Sequence, residues 1–252
     1  MMHVDKAKLL LSAFYKRIGY LFLYIFFGLM LDSQYFADNY DYAQLWAFFA
    51  LLIGFLIIYF RVGQRVKKQM IYAVIIGFVG EHFFSIWLGM YTYRLERVPF
   101  YIPLGHAVVL VSAIYFCKES IVKSYRKLIE NIFILFIVLY SLSFLIFFND
   151  IFGFIMSMLV LYLLRNKPRE RLFYLTMYLL VAFLEIIGTA YGCWYWPESA
   201  FGTFDVIKSA NPPSGISLFY FLLDLGSLWV YKKFHKEAWN RMKRIRLIRK
   251  EQ

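Results

Sequence analysis

Cysteine, histidine and charge are all scarce in this chain of 252 residues: two Cys, four His and 17% charged side chains. Two cysteines, Cys117 and Cys193, are too few for a disulfide framework or a cysteine-rich metal centre. Four histidines, with no His-Glu-x-x-His, speak against a histidine-rich iron or zinc site. A Walker loop, a Gly-rich dinucleotide fingerprint and a Gly-x-Ser-x-Gly elbow are all missing. No Asp-rich diphosphate motif occurs either, so neither a metal nor another cofactor is expected. A soluble domain is about one quarter charged, and this chain falls well short. Low-complexity runs are absent too, which excludes a disordered chain.

What is present is apolar. The set AVILMFWYC makes up 62% of the residues and the aromatics 22%, with a mean hydropathy of +0.59. Runs near the ~20 residues that cross a bilayer predict an all-α, polytopic membrane bundle with eight spans. These lie at about 10–31, 43–60, 70–90, 101–117, 132–148, 151–164, 172–191 and 215–231. Residues 1–231 then form the membrane domain and 232–252 a basic tail. The apolar run near the N-terminus has no small-residue cleavage site after it and reads as a retained helix.

The net charge of +12 finds its explanation in this topology. Of the 28 basic residues, 25 fall in the two termini and in the second, fourth and sixth loops. Arg94, Arg97 and Lys208 alone lie on the other side. The positive-inside rule places both termini in the cytoplasm, as expected of a multi-pass protein of the plasma (inner) membrane. Nucleic acid is not needed as a partner. Cys117 and Cys193 are expected at opposite faces and unbonded. In the tail, Phe234, Ala238, Trp239, Met242, Ile245 and Ile248 recur at helical spacing among Lys and Arg, which suits a helix lying on anionic headgroups. Loop 118–130 shows the same pattern more weakly.

One passage recurs. Glu81 is followed by Gly89-Met90-Tyr91-Thr92-Tyr93, and Glu185 by Gly192-Cys193-Trp194-Tyr195-Trp196. Both helices would run the same way, as a parallel repeat of helices 1–4 and 5–8 requires. An aromatic belt at the membrane surface would produce a similar pattern, and it accounts for most of these rings. The alternative is a slot whose π faces stabilise a cation or pack on a polyene. Gly188 and Gly192, four apart, read as a close helix–helix contact. Asn211 reads as a helix cap with Pro212 in the first turn.

Carboxyl groups inside spans are costly and point to function. Glu81, Glu185 and Asp224 qualify, about 16, 20 and 14 Å into their helices and so near the midplane. A carboxyl group withdrawn from water favours its protonated form, which a proton donor needs. A second carboxylate nearby would act as base. These three are the catalytic candidates. His82, Tyr91, Tyr93, His106, Trp194, Trp196 and Asn211 are the candidates for contacting substrate.

The stretch from Gly80-Glu81 to Tyr91-Thr92-Tyr93, with Val98-Pro99 and Ile102-Pro103 after it, resembles the carotenoid-biosynthesis membrane proteins that include carotenoid hydratases. The segment from Glu185 through Asn211-Pro212-Pro213 to Asp224 is loosely similar. The chain departs from that family in having Gly105-His106 where Trp is expected, and in lacking Pro-Phe-Gly before the tyrosine pair. The resemblance implies a cofactor-free hydratase that protonates a terminal isoprenoid double bond and captures the cation with water. A cyclase is the isomerising variant of the same chemistry. The residues alone leave two rivals: a small proton-coupled carrier using the same acids, and a non-catalytic lipid-binding assembly subunit.

Overall fold

In lipid a backbone N–H or C=O has no water to turn to, so a long apolar run closes its hydrogen bonds within a helix. Helices dominate the computed structural model accordingly; it describes residues 2–241 and 244. Helix α1 (Met2–Phe14) passes through a π-helical turn (Tyr15–Gly19) into α2 (Tyr20–Met30). There follow α3 (Gln34–Asn39), α4 (Ala43–Arg61) and α5 (Gln64–Glu81), the last continued by a π-helix (His82–Trp87). A short strand β1 (Thr92–Tyr93) leads to α6 (Tyr101–Phe116), α7 (Ser120–Ser124), α8 (Arg126–Phe148), α9 (Ile151–Leu164) and α10 (Arg171–Ala190). Strands β2 (Trp194–Tyr195), β3 (Ser199–Ala200) and β4 (Phe204–Lys208) precede α11 (Ser217–Phe234).

Among the described residues, five helical stretches are long and apolar enough to cross a membrane: Lys8–Met30, Ala43–Arg61, Gln64–Trp87, Arg126–Phe148 and Arg171–Ala190. Tyr101–Phe116 and Ile151–Leu164 are apolar but shorter. Trp46, Phe147 and Trp229 stand out from the surface, as rings facing lipid do. Helix α10 lies at the centre, with Leu175, Tyr178 and Val181 fully enclosed, and α6 contributes Ala107 and Ala113 equally buried. Helix α6 packs on α5, α4 and α10, while α11 packs on α5 and α10.

Helices α5 and α8 begin six residues before the starts expected from hydropathy, because Arg65, Lys67, Arg126 and Lys127 sit in their first turns. The earlier start puts Glu81 ~26 Å along α5 at 1.5 Å per residue, and so near its end. Glu185 is five residues from the end of α10. Glu81 therefore lies at the end of its helix, and Glu185 in the last half of its own. The basic tail resumes helical form at 236–241; the rest of it, apart from 244, lies outside the described residues.

Candidate functional site

Helix α5 ends on Glu81. The π-helix beyond it bonds five residues back, Leu88 N–H to the Phe83 carbonyl at 3.0 Å, and so holds one more residue per turn than an α-helix. Gly89, at φ +60°, turns the chain out. Helix α10 runs on to Ala190 without a π turn, and Gly192, at φ +67°, does the same work. That left-handed conformation strains any residue with a Cβ. Each chain then forms a two-residue strand, and the two pair antiparallel, Thr92 with Tyr195 and Tyr93 with Trp194. Side chains alternate along a strand, so Tyr91 and Tyr93 point back together, as do Trp194 and Trp196.

Each pair folds onto the glutamate of its own helix. Glu81, 3% exposed, accepts at Oε2 from the Tyr91 hydroxyl and, at 2.5 Å, from the Tyr93 hydroxyl. Glu185, 2% exposed, accepts at Oε2 from the indole N–H groups of Trp194 (2.8 Å) and Trp196 (2.9 Å). The spacings are 10 and 12 residues in the first half, 9 and 11 in the second. The extra residue of the π turn accounts for the offset.

A third partner reaches each glutamate from the next long helix. His106 of α6 meets Glu81 Oε1 at 2.6 Å, and Tyr220 of α11 donates to Glu185 Oε1 at 2.8 Å. The rings of His106 and Tyr220 lie 4.9 Å apart, those of Tyr91 and Trp196 4.5 Å. The arrangement is close to two-fold in layout although the partner types differ throughout, two phenols against two indoles and an imidazole against a phenol. Phenol and indole are neutral partners, while an imidazole can carry the proton itself. Glu81 therefore has one partner of acid–base character, His106, whereas the partners of Glu185 are phenol and indole donors.

Two cavities border the site. One, of about 290 Å³ of empty volume, is lined by both glutamates together with Tyr91, Trp196, Phe219 and Tyr220. The other, of about 470 Å³, is lined by His106, Tyr220, Trp194, Val109, Leu51 and Tyr24, among others.

The structure thus gathers Glu81, Glu185, His106, Tyr91, Tyr93, Trp194 and Trp196. The four aromatics are buried rings bonded to carboxylates, which corrects the belt reading; only Tyr195 between them is open, at 45%. His82 does not join: its Nδ1 meets the Phe78 carbonyl at 2.8 Å and its ring lies on Phe78. Asp224 sits one turn beyond Tyr220 with Oδ2 enclosed and unpartnered, and bonds to neither glutamate. Asn211 caps no helix, since α11 starts at Ser217. Its Oδ1 instead accepts from the Trp196 backbone N–H at 3.0 Å, fixing that strand. The Asn211–Pro212 bond is cis.

Gly188 is also reassigned. A Cβ there would run into the Trp194 ring, so the glycine seats an indole, not a second helix. Gly188→Ala is expected to cost ~1–3 kcal/mol through overpacking. It would show as a lowered melting midpoint in detergent together with a shift in tryptophan emission.

Two aspartates were not anticipated as part of this framework. Asp32, fully buried, accepts from Tyr101 Oη (2.6 Å) and from Arg94 Nη2 (2.5 Å). Asp150, equally buried, accepts from three backbone N–H groups: Gly153 (3.1 Å), Ala210 (3.0 Å) and Ser214 (2.7 Å). Each follows the end of the first long helix of its half and ties it to the start of the fourth. Their sequence signal was an acid one or two residues past an apolar run, once in each half.

No cluster of three or more His, Cys, Asp or Glu able to hold a metal occurs among the described residues. Cys117 and Cys193 are both free thiols. Comparison with protein-family models, curated proteins and solved structures gives no match.

Proposed function

We propose that this chain is a multi-pass membrane enzyme acting on a long apolar lipid of isoprenoid or carotenoid type by proton-initiated hydration or cyclisation. In this reading all eight long helical stretches cross the bilayer as two parallel four-helix repeats. Both termini face the cytoplasm, and the basic tail contacts anionic headgroups. The observation that carries it is the pair of glutamates bordering one aromatic-walled cavity, one of them hydrogen-bonded to a histidine.

The proton between Glu81 and His106 passes to the CH carbon of a terminal (CH3)2C=CH double bond, leaving a tertiary cation on the dimethyl carbon. Aromatic faces stabilise that cation, and Glu185 attracts it in its carboxylate form, which the three hydrogen bonds it accepts favour. In hydration, water oxygen bonds to the cation and its released proton goes to Glu185. In cyclisation, a second double bond closes the ring and the proton leaves the adjacent carbon for the same base. One proton is given and one is taken, so water is the sole co-reactant.

The test is mass spectrometry of lipids and pigments from a bacterial host that makes lycopene or a related polyene. A product heavier by one water marks a hydratase, and an isomer of equal mass a cyclase. An unchanged profile with well-expressed protein sinks the polyene reading. The near two-fold site favours one rival, a proton-coupled carrier; proton-dependent flux in liposomes without altered lipid would establish it.

A further inference from the structure

A third, larger cavity opens between α2, α4 and α6, on the basic side of the glutamate site. It holds about 1310 Å³ of empty volume, with Lys16, Arg17 and Arg61 at one end and Gly54, Val108 and Ser112 among its walls. Tyr24 lines both this cleft and the cavity that reaches His106. The same helix faces continue from one to the other. On α6 they run Tyr115, Ser112 and Val108, then Val109, Gly105 and Ile102; on α4, Arg61, Ile58 and Gly54, then Leu51. Tyr24 closes the passage, its hydroxyl donating to the Leu51 carbonyl at 2.7 Å and its ring packed over Gly54.

At the mouth the charges are unequal. Arg17 is held by Glu119 at 2.5 Å. Lys16 and Arg61 are exposed and form no salt bridge among the described residues. Two free cations above a hydrocarbon-lined cleft complement one kind of molecule, an anionic amphiphile. From Tyr115 to Val108, the last α6 residue on this side of Tyr24, is seven residues, or ~10 Å along α6, enough for roughly the first eight carbons of a chain.

We infer that this cleft binds one phosphate-headed membrane lipid, its headgroup at Lys16 and Arg61 and one chain lying between α2, α4 and α6 toward Tyr24. The binding needs none of the chemistry assigned to the glutamates. Native mass spectrometry of the full chain, with dioleoyl phosphatidylglycerol and dioleoyl phosphatidylcholine supplied in equal amounts, tests it. One phosphatidylglycerol is expected to be retained in preference by roughly tenfold or more, as two cations beside a headgroup provide. The double variant Lys16→Gln/Arg61→Gln should bring the two lipids to near parity. Ser112→Phe should reduce retention of both by filling the cleft, and Ile57→Phe blocks it from α4 should the first variant not fold. Glu81→Gln should retain lipid as the wild type does, which separates this inference from the proposed reaction. Equal retention of both lipids by the wild type would overturn it. So would a preference that survives loss of both cations, or retention undiminished by either block.

Discussion

Asp150→Ala is expected to lower the stability of the fold by ~3–5 kcal/mol, read from detergent-micelle unfolding titrations. Three backbone N–H groups, of Gly153, Ala210 and Ser214, point at this one carboxylate where no solvent reaches. Each would be left without an acceptor, and an orphaned buried donor costs about 1–3 kcal/mol. The loss should also spread. The 210–214 segment carries Asn211, which holds the Trp196 strand, and leads directly into the helix that bears Tyr220. Weakened contact at Glu185 should therefore accompany the lost stability, visible as red-shifted tryptophan emission. Asp150→Asn keeps one acceptor oxygen and should fall between wild type and alanine. A loss below about 1 kcal/mol for the alanine variant would mean that water or the backbone replaces the carboxylate.

Glu185→Gln should do the reverse, leaving the fold intact and abolishing turnover. The amide oxygen can accept both indole N–H groups, and the amide nitrogen can donate to the Tyr220 hydroxyl oxygen, so all three contacts survive. Only the charge and the ability to take a proton are lost. Removing a general base typically costs 10²- to 10⁴-fold in rate, so product formation in the lycopene-producing host should fall by at least about 10²-fold. The melting midpoint should move little. Glu185→Ala, by contrast, strands two indole donors and should destabilise by ~2–4 kcal/mol. Full product formation by the glutamine variant at normal expression would remove Glu185 from the reaction.

The sequence displayed the helices and the two glutamates plainly, because long apolar runs and charges within them are local signals. The recurrence of Gly-x-aromatic-x-aromatic after each glutamate was equally visible. Its meaning was not, since a contact over 9 to 12 residues follows no helical period and depends on a strand pair formed between distant segments. His82 and His106 show the difficulty sharply. His82 adjoins Glu81 in the chain, but successive residues on a helix point about 100° apart, and it faces away. His106 lies 25 residues further on and arrives only because α6 packs against α5. Tyr220 carries no signal as a partner for Glu185 in the sequence, which holds 21 tyrosines. Asp32 and Asp150 sit past the ends of apolar runs, where an acid ordinarily reads as a solvated loop residue.

A vessel with two equal halves cannot tell one end of its contents from the other: any molecule lying across it has two poses of the same energy. The two phenols facing two indoles already weaken that degeneracy, and the exchange of a phenol for an imidazole between Tyr220 and His106 removes it with a change of acid–base character. A guest whose ends differ in basicity or electron density then has one preferred heading. The fold thereby gains a sense of direction without giving up the matched pair of clamps on which its rigidity rests.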